Sequence, residues 1–242
     1  MDNLTDILVV VDNDMDYGIK HGFYDYQGVP SCEVISIDEF KSRNLIAPAP
    51  TLCGKDIYMR NPYTGSFLPI TDTDIERKMS ESKAFAIREA LVMMGAKDIE
   101  LVEDISDNTA QQINTGANVK ANPIAQGEGK VEYSNNISLN LKSIIESHDP
   151  ERKAHSIDKV QDFLKMHSLL DEDNLIMLTE RFARDGKLAG TETVCITFCS
   201  EIKSALNILC SVNYKVFSSN FDFESQKSNI HTIKKTLTVN FG

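Results

Sequence analysis

The sequence predicts an α+β fold, with a large, mainly antiparallel, twisted sheet, two or three helices and long protruding β-hairpins. The strongest observation is in residues 112–141, where apolar and polar side chains alternate with the period of two that is typical of a β-strand. Apolar residues in 73–94 instead recur at helical spacing. Because no repeat or long linker interrupts the 242 residues, we expect one domain over 1–242. Its first part, 1–70, is expected to be rich in strands, and 71–242 to hold the helices, the long hairpin and the C-terminal strands.

The first part of the chain contains three strand signals. Residues 7–11 form a compact apolar run that predicts a buried strand, and 32–37 alternate as a second strand. The sequence Asn61-Pro62-Tyr63-Thr64-Gly65 is a strong turn signal between two further strand-like segments, 56–60 and 66–70. A short β-hairpin is therefore predicted there.

A D-x-D motif follows the first predicted strand, at Asp12 and Asp14. It resembles the first motif of haloacid-dehalogenase-like phosphatases, with Asp16 where that family has Thr or Val. The resemblance implies a magnesium-dependent phosphatase in which Asp12 is the nucleophile and Asp14 a general acid. The alternative is a solvated turn, which we favour because Asp and Asn are ordinary turn residues.

Two helices are predicted in the second part of the chain. Thr73-Asp74-Ile75-Glu76 has the spacing at which a cap side chain and a carboxylate satisfy free N–H groups at a helix start. Apolar residues then recur at helical spacing up to Met94, and Gly95 stands where a terminating glycine is expected. The second helix is predicted at 156–167, after a surface connection over 142–153.

The C-terminal third is more ambiguous. Residues 174–183 fit a helix or a strand, and we predict a strand. From Thr193 to Val216 most of the apolar residues occupy even positions, but this run is longer than an ordinary strand. A helix over 200–209 therefore competes with a continued strand. A last strand is predicted at 233–241, where β-branched residues are frequent.

The alternating stretch at 112–141 predicts a long hairpin with one apolar and one polar face. Its polar residues are mostly uncharged, and each arm has the roughly 9–11 residues that cross a bilayer as a strand. The alternative is a half-exposed hairpin in a soluble sheet. The residues expected to face a membrane or a partner are Ile113, Thr115, Ala117, Val119, Ala121, Val131, Tyr133, Ile137, Leu139 and Leu141.

The order of these elements resembles the pore-forming domain of gasdermins. The matching order is the helix at 73–94, a strand at 99–102, the long hairpin, the helix at 156–167 and then 174–180 with a second alternating region. In that family, amphipathic hairpins unfold from a soluble form and join neighbouring subunits in a membrane barrel. The resemblance implies assembly into an oligomer and contact with membrane lipid.

The composition excludes several classes of function. With 36 acidic residues against 25 Lys and Arg, the net charge is −11, which disfavours a nucleic-acid-binding surface. We see no secretory signal or transmembrane run and expect a cytoplasmic protein that associates with membranes on activation. The five cysteines contain no CxxC pair, and the five histidines lack metal-binding spacing. With no Walker loop or nucleophile elbow either, we predict no enzyme, cofactor or metal site.

Three hypotheses follow from the sequence. The leading one is a non-enzymatic protein that forms a homo-oligomer through the amphipathic hairpin, as a gasdermin-like pore-forming effector. The second is a soluble binding or assembly module that pairs a strand with its partner. The third is the magnesium-dependent phosphatase centred on Asp12 and Asp14.

Overall fold

The computed structural model describes residues 6–23, 31–43, 55–102, 140–211, 230 and 232–242. Within these ranges the chain forms seven helices and two four-stranded, mostly antiparallel sheets, so the predicted α+β class is confirmed. The strands form two sheets where one large sheet was expected, and the helices outnumber the two or three expected. The long hairpin predicted at 112–141 lies outside the described residues except at its last two positions.

The chain divides into two compact units. One comprises Met1–Met79 and Cys199–Thr232, and the other Ser80–Phe198 and Ile233–Gly242. The expected single domain over 1–242 stays a prediction.

The first unit contains a four-stranded sheet in the order β2-β1-β3-β4. Strand β1 pairs in parallel with β2 and antiparallel with β3, and β3 and β4 form the predicted hairpin. The elements are β1 Ile7–Val11, α1 Asn13–Lys20, β2 Cys32–Ser36, α2 Ile37–Arg43, β3 Lys55–Arg60 and β4 Phe67–Pro69. Their core cluster consists of Leu8, Val10, Ile35, Phe40, Tyr58 and Phe67.

Helix α1 corrects the solvated turn that was expected after β1. The side chain of Asp12 caps this helix, with Oδ1 accepting a hydrogen bond of 2.8 Å from the backbone N–H of Met15. Asp14 and Asp16 lie in the first turn, where the helix dipole favours negative charge. Because Asp and Asn are both turn formers and cap residues, the same composition suits either structure.

The second unit contains a four-stranded antiparallel sheet in the order β6-β5-β8-β7. Its side chains alternate between a buried face and an exposed face. The remaining elements of the chain are α3 Ile75–Met93, β5 Asp98–Val102, α4 140–145, β6 Ser147–His148, α5 Ile157–Met166, α6 Asp173–Asp185, β7 Thr191–Phe198, α7 Ser200–Ser211 and β8 Ile233–Asn240. The buried face of the sheet carries Ile99, Leu101, Val194, Ile196, Leu237 and Val239.

The predictions for α3, α5, β5 and β8 are confirmed, whereas the strand predicted at 174–183 is wrong. That segment forms α6, because Leu175, Leu178 and Phe182 recur every three or four residues and bury one helix face. The competing helix over 200–209 is also confirmed, as α7.

The surface connection expected over 142–153 instead contains α4 and β6. Leu141 was predicted to lie on the apolar face of a hairpin strand. It is helical and fully buried, since α4 begins just before it. The regular alternation of side chains before this point did not indicate where the strand pattern gives way to a helix.

A buried lysine on α3 joins three parts of the second unit. The Lys83 side chain is 2% exposed, and its ammonium lies 2.5 Å from Glu172 Oε1. It also donates a 2.6 Å hydrogen bond to the backbone carbonyl of Thr197 at the end of β7. A buried charge is tolerated when it is paired and hydrogen-bonded in this way.

We expect Lys83→Met to lower the free energy of unfolding by about 3 kcal/mol, because it leaves the Glu172 carboxylate without this cation. The exposed Lys159→Met is the matched control and should change stability little. Urea unfolding of the two variants and the parent measures the difference. Equal stability of both variants would show that the buried pair contributes no net stabilisation.

Candidate functional site

The second unit has a groove along the outer edge of β5, which we call the β5 groove. Its volume is about 620 Å³. One wall is β5 itself, and the other comes from α4 and the start of β6. The lining residues are Asp98, Ile99, Glu100, Leu101, Lys142, Glu146, Ser147 and His148.

The groove exists because β6 covers only the beginning of β5. Asp98 and Ile99 lie opposite His148 and Ser147, and because the two strands are antiparallel, β6 begins at Ser147, opposite Ile99. The Lys97 carbonyl accepts a 2.7 Å hydrogen bond from the backbone N–H of Asp149, which shows which edge faces β6. Alternate residues of a strand turn their backbone groups to the same edge, so the N–H and C=O of Leu101 face the groove.

The α4 wall of the groove is held in place by the core beneath it. Leu141 and Ile145 are fully buried. Arg88 on α3 donates a 3.2 Å hydrogen bond from Nη1 to the carbonyl of Ile144. These contacts fix the position of the α4 wall.

Charged side chains line the groove on both sides. His148 Nδ1 lies 3.3 Å from Asp98 Oδ1, and Lys142 Nζ lies 3.9 Å from Glu146 Oε1. Glu100 is exposed on the solvent face of β5. The groove thus combines backbone hydrogen-bonding groups with a mixed, mainly acidic rim, an arrangement suited to an extended peptide segment.

The opposite edge of the same sheet is closed by side chains. Asn174 Nδ2 donates a 3.0 Å hydrogen bond to the Cys195 carbonyl, and Lys83 Nζ donates one to the Thr197 carbonyl. Both carbonyls belong to the outer edge of β7, since alternate residues face the same edge. Arg181 Nη1, on the same helix as Asn174, lies 2.6 Å from Glu192 Oε1 at the start of β7. Such coverage is a common way to prevent an edge strand from pairing.

Of the residues predicted from the alternating pattern, the structure places one. Leu141 lies in α4, under the wall of the β5 groove. The others lie outside the described residues, so the predicted hairpin face stays a prediction. These are Ile113, Thr115, Ala117, Val119, Ala121, Val131, Tyr133, Ile137 and Leu139. Sequence reasoning found β5 but missed the groove, because the two residues of β6 give no strand signal.

The D-x-D motif lies after β1, where the side chain of Asp12 is engaged as a helix cap. Asn13 Nδ2 donates a 2.7 Å hydrogen bond to Asp38 Oδ2 after β2, so the ends of the two parallel strands meet. On the other side of β1, however, β3 is antiparallel, so the carboxyl end of β3 lies beside the amino end of β1. In the described part of the chain, no group of three or more His, Cys, Asp or Glu residues is placed to hold a metal ion. This geometry gives the phosphatase hypothesis no further support.

Among the described residues of the first unit, Glu76 at the start of α3 has a strongly shifted carboxyl group. Burial raises its pKa from 4.5 to about 7, while the Lys203 ammonium on α7 opposes the rise. The thiol of the buried Cys199, whose φ is 65°, lies 3.8 Å from the Glu76 carbonyl. Nearby on α7, Glu201 Oε1 accepts a hydrogen bond from the Tyr63 hydroxyl. These contacts bind α7 to the start of α3 and to the β3–β4 turn.

Comparisons with protein-family models, curated proteins and solved structures gave no match. Within the described ranges, none of the helices combines the length and apolar character needed to span a bilayer.

We expect Glu76→Gln to flatten the pH dependence of stability. A carboxyl group whose pKa is raised on folding stabilises the folded state fully below pH 4.5, and this contribution is lost as pH rises to about 7. The stability of the parent protein relative to Glu76→Gln should therefore fall across that interval. Urea unfolding at several pH values measures the difference, with the exposed Glu151→Gln as control. Parallel pH profiles for the parent and Glu76→Gln would contradict this assignment.

Proposed function

We propose that this protein assembles with copies of itself by adding a β-strand from one copy to the β5 groove of another. The observation that carries the proposal is the contrast between the two edges of the second sheet. The β7 edge is closed by Asn174 and Lys83, whereas among the described residues no strand pairs with the outer edge of β5 beyond Ile99. An unprotected edge is a template for strand pairing.

Strand addition draws most of its affinity from the backbone. An extended segment beside Leu101 would exchange main-chain hydrogen bonds with it, as in other complexes formed by β-augmentation. Its alternate side chains would then face either the side of Ile99 and Leu101, which is buried, or the side of Glu100 and Val102, which faces solvent. The groove therefore selects a segment with alternating apolar and polar residues.

The segment with that pattern in this chain is 112–139, because residues 140 and 141 belong to α4. It follows β5 along the chain and ends at α4, so both flanking elements line the groove that we propose as its docking site in a neighbouring copy. The uncharged polar residues of the segment suit a rim that already contains Asp98, Glu100 and Glu146. A like-charged segment would be repelled there.

A pore-forming version of the same assembly adds insertion of the hairpin into a membrane. This version rests on the resemblance of the order of elements in the sequence to gasdermins. It uses the same strand pairing and differs in requiring lipid.

We expect replacement of residues 112–139 by a short Gly/Ser linker to abolish self-association without unfolding the two sheets. The deletion stops at 139 because α4 begins immediately afterwards and contributes buried residues to the core. Solution mass by light scattering and thermal unfolding, measured on the same samples, separate loss of assembly from loss of folding. An unchanged oligomer in the folded variant would show that this segment is not needed for self-association.

A charge on the solvent face at the open edge provides the more local test. Val102→Lys, at a position 38% exposed, should weaken self-association about tenfold or more, because an edge lysine opposes strand addition. Thr193→Lys is the matched control, since it lies on the exposed face at the protected β7 edge. Equal effects of the two substitutions would contradict the assignment of the β5 edge.

Adding anionic liposomes filled with dye to the same samples distinguishes the two versions of the assembly. Dye release that is lost in Val102→Lys supports the pore-forming version. A defined soluble oligomer that leaves the liposomes intact supports assembly in solution and excludes the pore.

A further inference from the structure

Three exposed apolar residues lie at the tip of the α5–α6 helical hairpin, and we call this set the methionine face. It consists of Met166, Leu170 and Met177, whose side chains are 74%, 45% and 59% exposed. They lie in the last turn of α5, in the connection and near the start of α6. Because α5 and α6 pack against each other and this connection is short, the three residues belong to the same end of the hairpin.

The helical positions of the two methionines place them on the outer side of this hairpin. Successive residues of a helix are rotated by about 100°, so Met166 lies roughly 140° from the direction of the buried Val160 and Leu164. By the same geometry, Met177 lies about 150° from the centre of the buried stripe that contains Leu175 and Leu178. Neither methionine side chain lies on the buried face of its helix.

Exposed carboxylates flank the two methionines on the same helix faces. Asp162 precedes Met166 by four residues, and Glu180 follows Met177 by three, spacings at which side chains are neighbours on a helix. Asp171 and Asp173 add exposed negative charge at the connection. Nearby basic groups offset this charge only in part. Lys159 and Lys165 are exposed on α5, while Arg181 pairs with Glu192 and Arg184 with Asp185.

We infer that the methionine face is a docking surface for a basic amphipathic helix of a partner protein. Methionine side chains are flexible and polarisable, so they adapt to an apolar helix face and recur on surfaces that bind such helices. The surrounding carboxylates complement lysine and arginine at the edges of that helix. This surface is separate from the β5 groove, and the inference does not depend on strand-mediated assembly.

The test uses the full chain and a fluorescent peptide of about 18 residues, five helical turns, with leucine on one face and lysine on the other. A peptide with glutamate in place of every lysine is the charge control. Anisotropy titrations are made with the parent, with Met166→Gln/Met177→Gln and with Asp162→Asn/Glu180→Gln. Phe23→Gln is the matched control, because it removes an apolar side chain that is 73% exposed in the other unit.

The inference predicts that the lysine peptide binds the parent and Phe23→Gln equally and the methionine variant at least about tenfold more weakly. The carboxylate variant should also bind more weakly and show less dependence on salt, and the glutamate peptide should not bind. Unchanged binding by the methionine variant, or equal binding of the glutamate peptide, would overturn the inference. A fall in the solution mass of the methionine variant without peptide would also overturn it, because the surface would then join copies of this chain.

Discussion

The buried Lys83 is the interaction on which the architecture of the second unit most depends. The methylene groups of Lys83 are buried in the core. Its ammonium forms an ion pair with Glu172 and donates a hydrogen bond to the Thr197 carbonyl. One cation thereby ties α3 to the connection before α6 and to the end of β7. Removing it would leave a half-buried carboxylate and an edge carbonyl to be solvated in a site with little access to water.

The same lysine also donates a hydrogen bond to a carbonyl on the outer edge of β7. Together with Asn174, it occupies outward carbonyls of β7, whose eight residues would otherwise be the longer and more reactive edge. Among the described residues, the opposite edge is paired by the two residues of β6. The contacts that hold α3 and α6 against β7 therefore also occupy the β7 edge, and the proposed assembly uses the other edge, that of β5.

A structural feature could be predicted from the sequence when a short, continuous segment marked it. Helix α3 has a regular apolar spacing and a terminal glycine, and the β3–β4 hairpin has a strong turn sequence, so both were predicted. Helix α6 was missed because its apolar residues fit two periodicities over a short segment. The β5 groove was not predictable, since it depends on where β6 ends and on how far α4 extends, and no local pattern in the sequence marks either. The burial of Lys83 was equally hidden, because a lysine in an amphipathic helix usually marks the solvated face.

The central claim is that β5 gains a neighbouring strand when copies assemble, and the exchange rate of the Leu101 amide hydrogen tests it most directly. This amide faces the groove, so strand addition should place it in a hydrogen bond. We predict that its exchange slows as protein concentration rises and the solution mass increases, while the amides of β7 keep their rates. Exchange at Leu101 that is independent of concentration while the mass increases would contradict the account, since assembly would then use another surface.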